Sequence, residues 1–301
     1  KGFVLVDADL SPERRLHGTN KQGLATYKEL IKNMSTKTKP DGGALPLILE
    51  KWISTILTEV TIETGLSPDD INFIKLTDIK IHKIISDIEG MVNGFDFSRA
   101  IIQYWTAYRN NDDIKKSQVL KWFRGEYATR MEAKSELGIN LIVTDDNWYD
   151  FIKLIAFFIV KAGYRGLLIL IDELVNIYKI PNSITRQYNY EKILMMYNDV
   201  LQGKASYIGI FMGGTPQCIE DKHRGLFSYE ALRSRLSEGR FSTSDVKDLL
   251  APIIRLNPLT NEEMYVLIEK LSKIHSDLHG YPVVVTGEDL VYFLKVEYGR
   301  V

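Results

Sequence analysis

Two adjacent carboxylates, Asp172 and Glu173, follow the clearest predicted strand of the sequence, the uninterrupted apolar run of residues 167–171. Such a run is typical of a strand that is covered on both faces of a parallel sheet. A carboxylate at the end of the strand suits Mg²⁺, which prefers hard oxygen ligands and keeps several waters. The second carboxylate could polarise an attacking water as a general base. The pair therefore predicts magnesium-assisted phosphoryl transfer, with Asp172 at the metal and Glu173 at the water.

A structural interpretation of the same pair is also open. Acidic side chains favour the positive end of a helix dipole, so Asp172 and Glu173 could instead cap a helix that begins at Leu174. An apolar run followed by Asp-Glu is not rare, and the pair alone does not decide between the two interpretations.

A third polar position, Thr215, follows another apolar run, residues 206–212. At the end of a neighbouring strand, its hydroxyl could sense a γ-phosphate or orient the attacking water. Gly213 and Gly214 precede it, and glycine lets the backbone approach a nucleotide closely. A plain turn from strand to loop is the alternative.

Several arginines follow Thr215 and could act on a nucleotide held by a neighbouring subunit. An arginine that projects from a helix end can stabilise the charge of a phosphoryl-transfer transition state. Arg235 is the first choice and Arg233 the second, while Arg224 and Arg240 are weaker candidates. The alternative is that these arginines lie on the surface of a helix.

The phosphate-binding pattern Gly-x-x-x-x-Gly-Lys-Ser/Thr does not occur in the sequence. Residues 18–23 have the glycine spacing, but Leu24 and Ala25 stand where lysine and a hydroxyl are needed. In P-loop ATPases this loop joins the first strand to the first helix. If residues 3–7 form the second strand, we expect the loop to lie upstream of residue 1.

The elements that must position these residues alternate between strands and helices. Apolar runs predict strands at residues 3–7, 166–173, 206–212 and 252–256. Helical spacing predicts a long helical stretch over residues 44–122 and further helices at residues 150–160, 190–201, 260–271 and 287–295. The helix of residues 260–271 begins with a capping box.

The segment after the first predicted strand has two interpretations. Ser11, Pro12 and Glu13 form a typical helix start, with a capping serine and proline at the first helical position. Arg14 and Arg15 come next, and they either lie on a solvated helix start or contact phosphate or nucleic acid.

This order of elements predicts an α/β fold. With the polar strand ends, it predicts an AAA+-like P-loop NTPase: a three-layer sandwich around a parallel sheet, with a large helical insertion and a C-terminal helical lid. We expect residues 1–43 to begin the ATPase core and residues 44–150 to form the insertion. Residues 151–257 would complete the core, and residues 258–301 would form a truncated lid.

Composition excludes some classes of protein. The 38 Lys and Arg balance 39 Asp and Glu, which argues against coating of nucleic acid by bulk charge but allows a local basic patch. The one cysteine, Cys218, permits no internal disulfide and fits a reducing compartment such as the cytoplasm. The most apolar stretch, residues 151–171, is interrupted by Lys153, Lys161 and Arg165, so we expect no membrane span.

Several segments of the chain resemble the ATP-binding protein family of bacterial BREX phage-defence systems. Residues 2–18 are similar to the segment that follows the phosphate loop in that family, and residues 163–173, 211–216 and 229–236 are similar to further segments. The resemblance covers nearly the whole chain. Residues 10–18 are its specific part, whereas an Asp-Glu strand is shared by many ATPases. The family resembles the origin-recognition and STAND branches of AAA+ ATPases.

The resemblance implies an ATP-binding core, a small helical lid and often a C-terminal winged helix. It implies that Asp172 and Glu173 are the magnesium and water residues and that Thr215 is the sensor, with Gly214 beside the nucleotide. Arg235 stands where bacterial replication initiators carry an arginine finger in a similar Ser-Arg context. The implied cofactors are ATP and Mg²⁺, and the implied partners are other defence-system proteins, DNA and further copies of the chain.

Three functions are compatible with these residues. The first is an ATP hydrolase or ATP-driven switch in anti-phage defence. The second is a non-hydrolysing, nucleotide-dependent scaffold that recruits partners, and the third is a DNA-binding switch protein. Glu173→Gln separates the first two, because it should trap bound ATP in an active ATPase and change little in a scaffold.

Overall fold

The computed structural model describes residues 2–237 and 252–297 of the chain. The chain divides into two compact units, Lys1–Arg235 and Leu236–Val301. The sheet and the carboxylate pair belong to the first unit. Arg240, one of the weaker arginine candidates, lies outside the described residues.

Three parallel strands form the sheet in the order β1-β2-β3: Val4–Asp9, Leu167–Asp172 and Ile208–Met212. They confirm three of the four predicted strands. The fourth prediction is wrong, because residues 252–256 form no strand. Ile254 and Leu256 are 71% and 90% exposed, so this apolar run is not buried in a sheet. Periodicity alone cannot identify such short runs as strands.

The two faces of the sheet differ in burial. Residues that are paired between parallel strands point to the same face, and every second residue points to the other face. On the first face the side chains of β1 and β2 are buried: Val4, Val6, Ala8, Leu167, Ile169 and Ile171. On the second face Leu170 and Phe211 are 36% and 55% exposed, and Asp7 beside Leu170 is exposed as well.

The exposure of Leu170 on the second face contradicts the expectation that β2 is covered on both sides. Among the residues that the structure describes, helices cover one face only, so the third layer of the predicted sandwich is not seen. The sequence of β2 does not reveal this, because its exposed positions before Asp172 are leucines. β3 is likewise only half-buried rather than a fully buried strand.

Seven helices lie between β1 and β2, and they include the predicted helical stretch. Their bounds are α1 Gln22–Lys32, α2 Leu45–Thr64, α3 Ile71–Glu89, α4 Gly94–Arg109, α5 Asp113–Phe123, α6 Arg130–Leu137 and α7 Trp148–Lys161. Two helices, α8 Val175–Tyr178 and α9 Ser183–Leu201, connect β2 to β3. After β3 come α10 Pro216–Glu220, a 3₁₀ turn Leu226–Ser228, α11 Glu230–Leu236, α12 Asn261–His279 and α13 Gly287–Glu297.

Helix α7 joins the helices after β1 into one hydrophobic core. Nine of its residues are buried, and its remaining side, which includes Lys153 and Phe157, is half-buried. The ring of Phe158 packs against Trp52 of α2, with ring centroids 5.2 Å apart. The ring of Phe151 packs against Trp122 of α5 at 5.3 Å. The helices before α7 are therefore tied to the same core as the strand that α7 precedes.

The predicted helix start at Ser11 is wrong, although its first hydrogen bonds form. The Ser11 hydroxyl accepts the backbone N–H groups of Glu13 and Arg14, as in a helix cap. The chain then turns back instead of continuing, because Ser11 and Arg14 exchange backbone hydrogen bonds of 2.9 and 3.2 Å. Residues 10–21 form a loop, and α1 begins only at Gln22.

In the second unit, the capping box at the start of α12 is confirmed. The Thr260 hydroxyl accepts the Glu263 N–H at 3.2 Å, and the Glu263 carboxylate accepts the Thr260 N–H at 2.9 Å. In the part of the chain that the structure describes, no helix is both long enough and apolar enough to cross a membrane.

Candidate functional site

The carboxylates of β1 and β2 come together at the carboxyl ends of the strands. Asp9 and Asp172 are the last residues of their strands and lie opposite each other in the parallel register. Adjacent strands are about 4.8 Å apart, so the two side chains are neighbours on the open face. Both residues are exposed. Asp9 was missed by sequence reasoning, although two parallel strands that both end in aspartate are a usable signal.

Among the described contacts, the Asp172 and Glu173 side chains accept no N–H group of helix α8, so the structural interpretation now rests on the helix dipole alone. Helix α8 begins at Val175, and Leu174 occupies the N-cap position. No side chain at this position accepts a hydrogen bond from the first turn of the helix. The Asp172 Oδ1 instead accepts the N–H of Glu173 at 2.7 Å. Glu173 is exposed and has a φ of 63°, a left-handed conformation that costs free energy for any residue with a side chain. Such strain often marks functional positions.

The glycines after β3 fit against the segment that follows β2. The Gly213 N–H donates to the Ile171 carbonyl at 2.8 Å, and a Cβ on Gly213 would overlap the Asp172 carboxylate. A Cβ on Gly214 would lie 2.7 Å from the Cys218 sulfur and 3.1 Å from the Leu174 Cβ. Close packing within the protein therefore explains both glycines without a bound nucleotide.

Thr215 is a helix cap rather than a plain turn residue. Its Oγ1 accepts the Cys218 N–H at 3.4 Å at the start of α10. Thr215 is exposed, and a hydroxyl that accepts one hydrogen bond can still donate its own proton to a ligand. Cys218 lies beneath this turn, where burial raises the pKa of its thiol. The cysteine is therefore a packing residue.

Arg235 is not brought to the carboxylates of its own chain. Its Nε donates to Asn198 Oδ1 at 3.0 Å and its Nη1 to the Ala231 carbonyl at 2.9 Å. Helix α9 starts at the carboxyl end of the sheet, and Asn198 lies 15 residues beyond Ser183, or about 22 Å along the helix. Arg233 pairs with Glu230 of the same helix. A role for Arg235 as an arginine finger would thus require a second copy of the chain.

The loop of residues 10–18 is fixed beside the carboxylates. The Leu10 N–H donates to the Asp172 carbonyl at 3.0 Å, and Asn176 Nδ2 donates to the Leu10 carbonyl at 2.8 Å. At the other end of the loop, Trp148 Nε1 donates to the Leu16 carbonyl at 3.2 Å. The segment that is most specific in the resemblance is therefore anchored to the residues around Asp172.

Asn189 of α9 is the strongest anchor of this loop. Its Oδ1 accepts the N–H groups of Leu16 and His17 at 3.0 and 2.9 Å. Its Nδ2 donates to the carbonyls of His17 and Thr185 at 3.0 and 2.9 Å. Asn189 is fully buried, so the whole amide is satisfied inside the protein. No local sequence signal points to it, because its partners lie 172 and 173 residues away.

Comparison with families of known proteins identifies the chain. A family model described as BREX system ATP-binding protein BrxC/D matches residues 1–301. The chain belongs to this family. No curated protein and no solved structure matches it in the corresponding comparisons. The chain is thus a member of a family of ATP-binding components of BREX systems, and the resemblance inferred from the sequence is confirmed.

The residues present fit the metal side of a nucleotide site. Ligands of open parallel sheets bind at the carboxyl ends of the strands, where Asp9, Asp172 and Thr215 lie. No group of three or more His, Cys, Asp or Glu among the described residues could hold a metal by itself. Mg²⁺ at phosphates needs only one or two carboxylates, with phosphate oxygens and waters as its other ligands. Asp172 and Asp9 can supply that number.

We expect Gly213→Ala to disturb the site from the β3 side. The new methyl group must displace the Asp172 carboxylate or the β3 loop, at a cost of about 1–3 kcal/mol in the free energy of unfolding. Urea unfolding measures this cost. Gly90→Ala is the matched control, because the nearest atom would be 3.9 Å from its Cβ and its φ is −74°. Equal stabilities of the two variants would show that Asp172 does not need the space at Gly213.

Proposed function

We propose that the chain is the catalytic part of an ATPase or ATP-driven switch in BREX defence. One observation carries the proposal: Asp172 and Glu173 stand exposed at the carboxyl end of the central strand, without a capping hydrogen bond to α8 and with Glu173 in a strained conformation. Membership of an ATP-binding family supports ATP as the ligand.

Each polar residue of the site has a separate task in this proposal. Asp172, with Asp9 beside it, holds Mg²⁺, which when bound neutralises the charge of the phosphates. The Glu173 N–H fixes the orientation of the Asp172 carboxylate through their 2.7 Å hydrogen bond. The Glu173 carboxylate takes the proton of the attacking water. The Thr215 hydroxyl donates to a phosphate oxygen, while its own position is set by α10.

The open side of the sheet supports a missing phosphate-loop unit. Parallel sheets are normally covered on both faces, and Leu170 and Phe211 lie on the exposed face. The outer edge of β1 is partly occupied by a bridge between Leu5 and Ser35. No strand among the described residues pairs with the outer edge of β3. We therefore place the phosphate loop on a strand, loop and helix from outside residues 1–301 that pair with β3 and cover this face.

Asp172→Asn tests the proposal in the complete protein, meaning residues 1–301 with the proposed phosphate-loop unit. We expect ATP to bind the unchanged protein in a magnesium-dependent way. The variant should weaken ATP binding in the presence of Mg²⁺ by at least about tenfold, or roughly 1.4 kcal/mol. Isothermal titration with and without Mg²⁺ measures both quantities.

Asp41→Asn is the matched control for this experiment, because Asp41 is exposed and lies away from the strand ends. It should bind ATP as the unchanged protein does. Absence of ATP binding by the complete protein would contradict the enzyme and leave a partner-recruiting scaffold as the better account.

A further inference from the structure

Two arginines converge on one backbone oxygen in the segment between α8 and α9. Arg186 Nη1 donates to the Ile180 carbonyl at 2.7 Å. Arg224 Nη2 donates to the same oxygen at 3.3 Å and to the Tyr178 carbonyl at 3.3 Å. Since both nitrogens bond one atom, they are at most about 6 Å apart, the sum of the two distances. Two positive charges therefore meet at one neutral oxygen, the Ile180 carbonyl.

Neither arginine has an acidic partner within the described parts of the chain. No ion pair joins Arg186 or Arg224 to a carboxylate there. Asp221, in the same loop as Arg224, accepts the Arg224 backbone N–H at 3.3 Å but makes no ion pair with the guanidinium group. Its Oδ2 accepts the Tyr178 hydroxyl at 2.9 Å and its Oδ1 accepts the His223 N–H at 2.7 Å. These hydrogen bonds hold the pKa of Asp221 below its usual value, so it stays ionised at neutral pH.

The position of Arg186 makes the unpaired charge costly. The residue is 8% exposed, and buried charges in proteins are normally paired. Arg186 also lies in the first turn of α9, where the helix dipole disfavours a cation. The ring of Tyr178 faces the Arg224 guanidinium with 5.5 Å to its centroid, which offsets only part of the repulsion. An anion between the two guanidinium groups would remove the mismatch.

We propose that Arg186 and Arg224 form a binding site for a phosphate group. Guanidinium groups present planar forks of N–H donors that match phosphate oxygens, and such charge-assisted hydrogen bonds are strong. The site lies between the segment that follows β2 and the segment that follows β3, close in sequence to Glu173 and Thr215. It is separate from the proposed magnesium site and goes beyond the proposed ATPase activity. The phosphate comes from a nucleotide or from a nucleic-acid backbone.

Thermal unfolding in inorganic phosphate tests the site directly. Phosphate stabilises many proteins by exclusion from their surface, so the specific effect must be separated from this general one. We compare the rise in Tm from chloride to phosphate at equal ionic strength for Arg224→Gln and for the control Arg130→Gln. Arg224 and Arg130 are both exposed, and Arg130 lies on α6, far along the chain. We expect a clearly smaller rise for Arg224→Gln, and equal rises would overturn the proposal.

Arg186→Met separates a binding role from a structural role. If the pair binds phosphate, removal of the buried charge leaves the Tm in chloride unchanged or higher and abolishes the specific phosphate effect. If Arg186 only ties α9 to the Ile180 carbonyl, the Tm in chloride falls and the phosphate effect remains. The second result would contradict the proposal.

Titrations with a labelled single-stranded oligonucleotide and with a fluorescent ATP analogue identify the source of the phosphate. Arg224→Gln should weaken one of the two by at least about tenfold relative to Arg130→Gln, as expected for loss of charge-assisted hydrogen bonds. Unchanged affinity for both would reject a physiological role. Asp172→Asn should leave the response to inorganic phosphate intact, so failure of the ATPase proposal and failure of this site give different results.

Discussion

Glu173→Gln in the complete protein should reduce ATP turnover at least about 100-fold while ATP binding is retained. The amide keeps the size of the side chain but cannot take a proton from water, and a positioned general base contributes roughly 10²–10⁴ in rate. Phosphate release measures turnover, and equilibrium titration of ATP measures binding. Both must be followed, because only the combination of lost turnover and retained binding identifies a base.

Glu269→Gln is the matched control for this substitution, since Glu269 is exposed on α12. Glu173→Gly adds a second comparison. Because Glu173 has a φ of 63°, glycine should relieve strain and stabilise the fold by about 1 kcal/mol, while turnover is lost as in the amide variant. Unchanged turnover in Glu173→Gln would show that the carboxylate is not the base and would favour the scaffold.

Asn189→Leu should lower the free energy of unfolding by about 3–5 kcal/mol. The leucine removes one acceptor shared by the N–H groups of Leu16 and His17, and one donor to the His17 carbonyl. Each buried polar group left without a partner costs about 1–3 kcal/mol. Urea unfolding followed by circular dichroism measures the loss. Asn72→Leu is the control, because Asn72 lies exposed on α3.

If Asn189→Leu does not fold, Asn189→Ser gives a milder test. The serine cannot reach all four partners, so the loop of residues 10–18 should open more often. Trypsin should then cleave after Arg14 or Arg15 faster than in the unchanged protein, because cleavage needs an open loop. Equal cleavage rates would mean that Asn189 does not hold the loop.

Local apolar runs predicted all three strands of the sheet. Residues 167–171 are long, continuous and followed by Asp172, and they form β2 as predicted. Residues 252–256 also contain three large apolar residues, yet Ile254 and Leu256 are exposed and no strand forms. The difference depends on what surrounds each segment, and a local pattern does not contain that information.

The open face of the sheet could not be predicted for a related reason. Leu170 lies on the exposed face and Ile171 on the buried face, although both are large and apolar. Burial there depends on which helices are present.

The loop after β1 could not be predicted from the local sequence either. Ser11 forms the hydrogen bonds of a helix cap, but the N–H groups of Leu16 and His17 bond to Asn189 instead of continuing a helix.

Some residues of the candidate site could be selected from the local sequence, and others needed the three-dimensional structure. Asp172 and Glu173 could be selected because they follow an apolar run directly, and Thr215 because it follows another run after two glycines. Asp9 needed the strand register, which the sequence does not state. Arg186 was not recognisable, since its neighbour Arg224 comes from a different loop and the two meet at the Ile180 carbonyl.

The uncovered face and free edge of β3 also affect how the chain behaves in concentrated solution. Phe3, which precedes β1, and Phe211 of β3 are 44% and 55% exposed. Among the described residues, no strand pairs with the outer N–H and C=O groups of β3. Such an edge is a template for sheet extension by another copy, and the apolar patch beside it adds a driving force. The described residues therefore present an edge that favours aggregation, and a segment that covered it would protect the sheet from association with other copies.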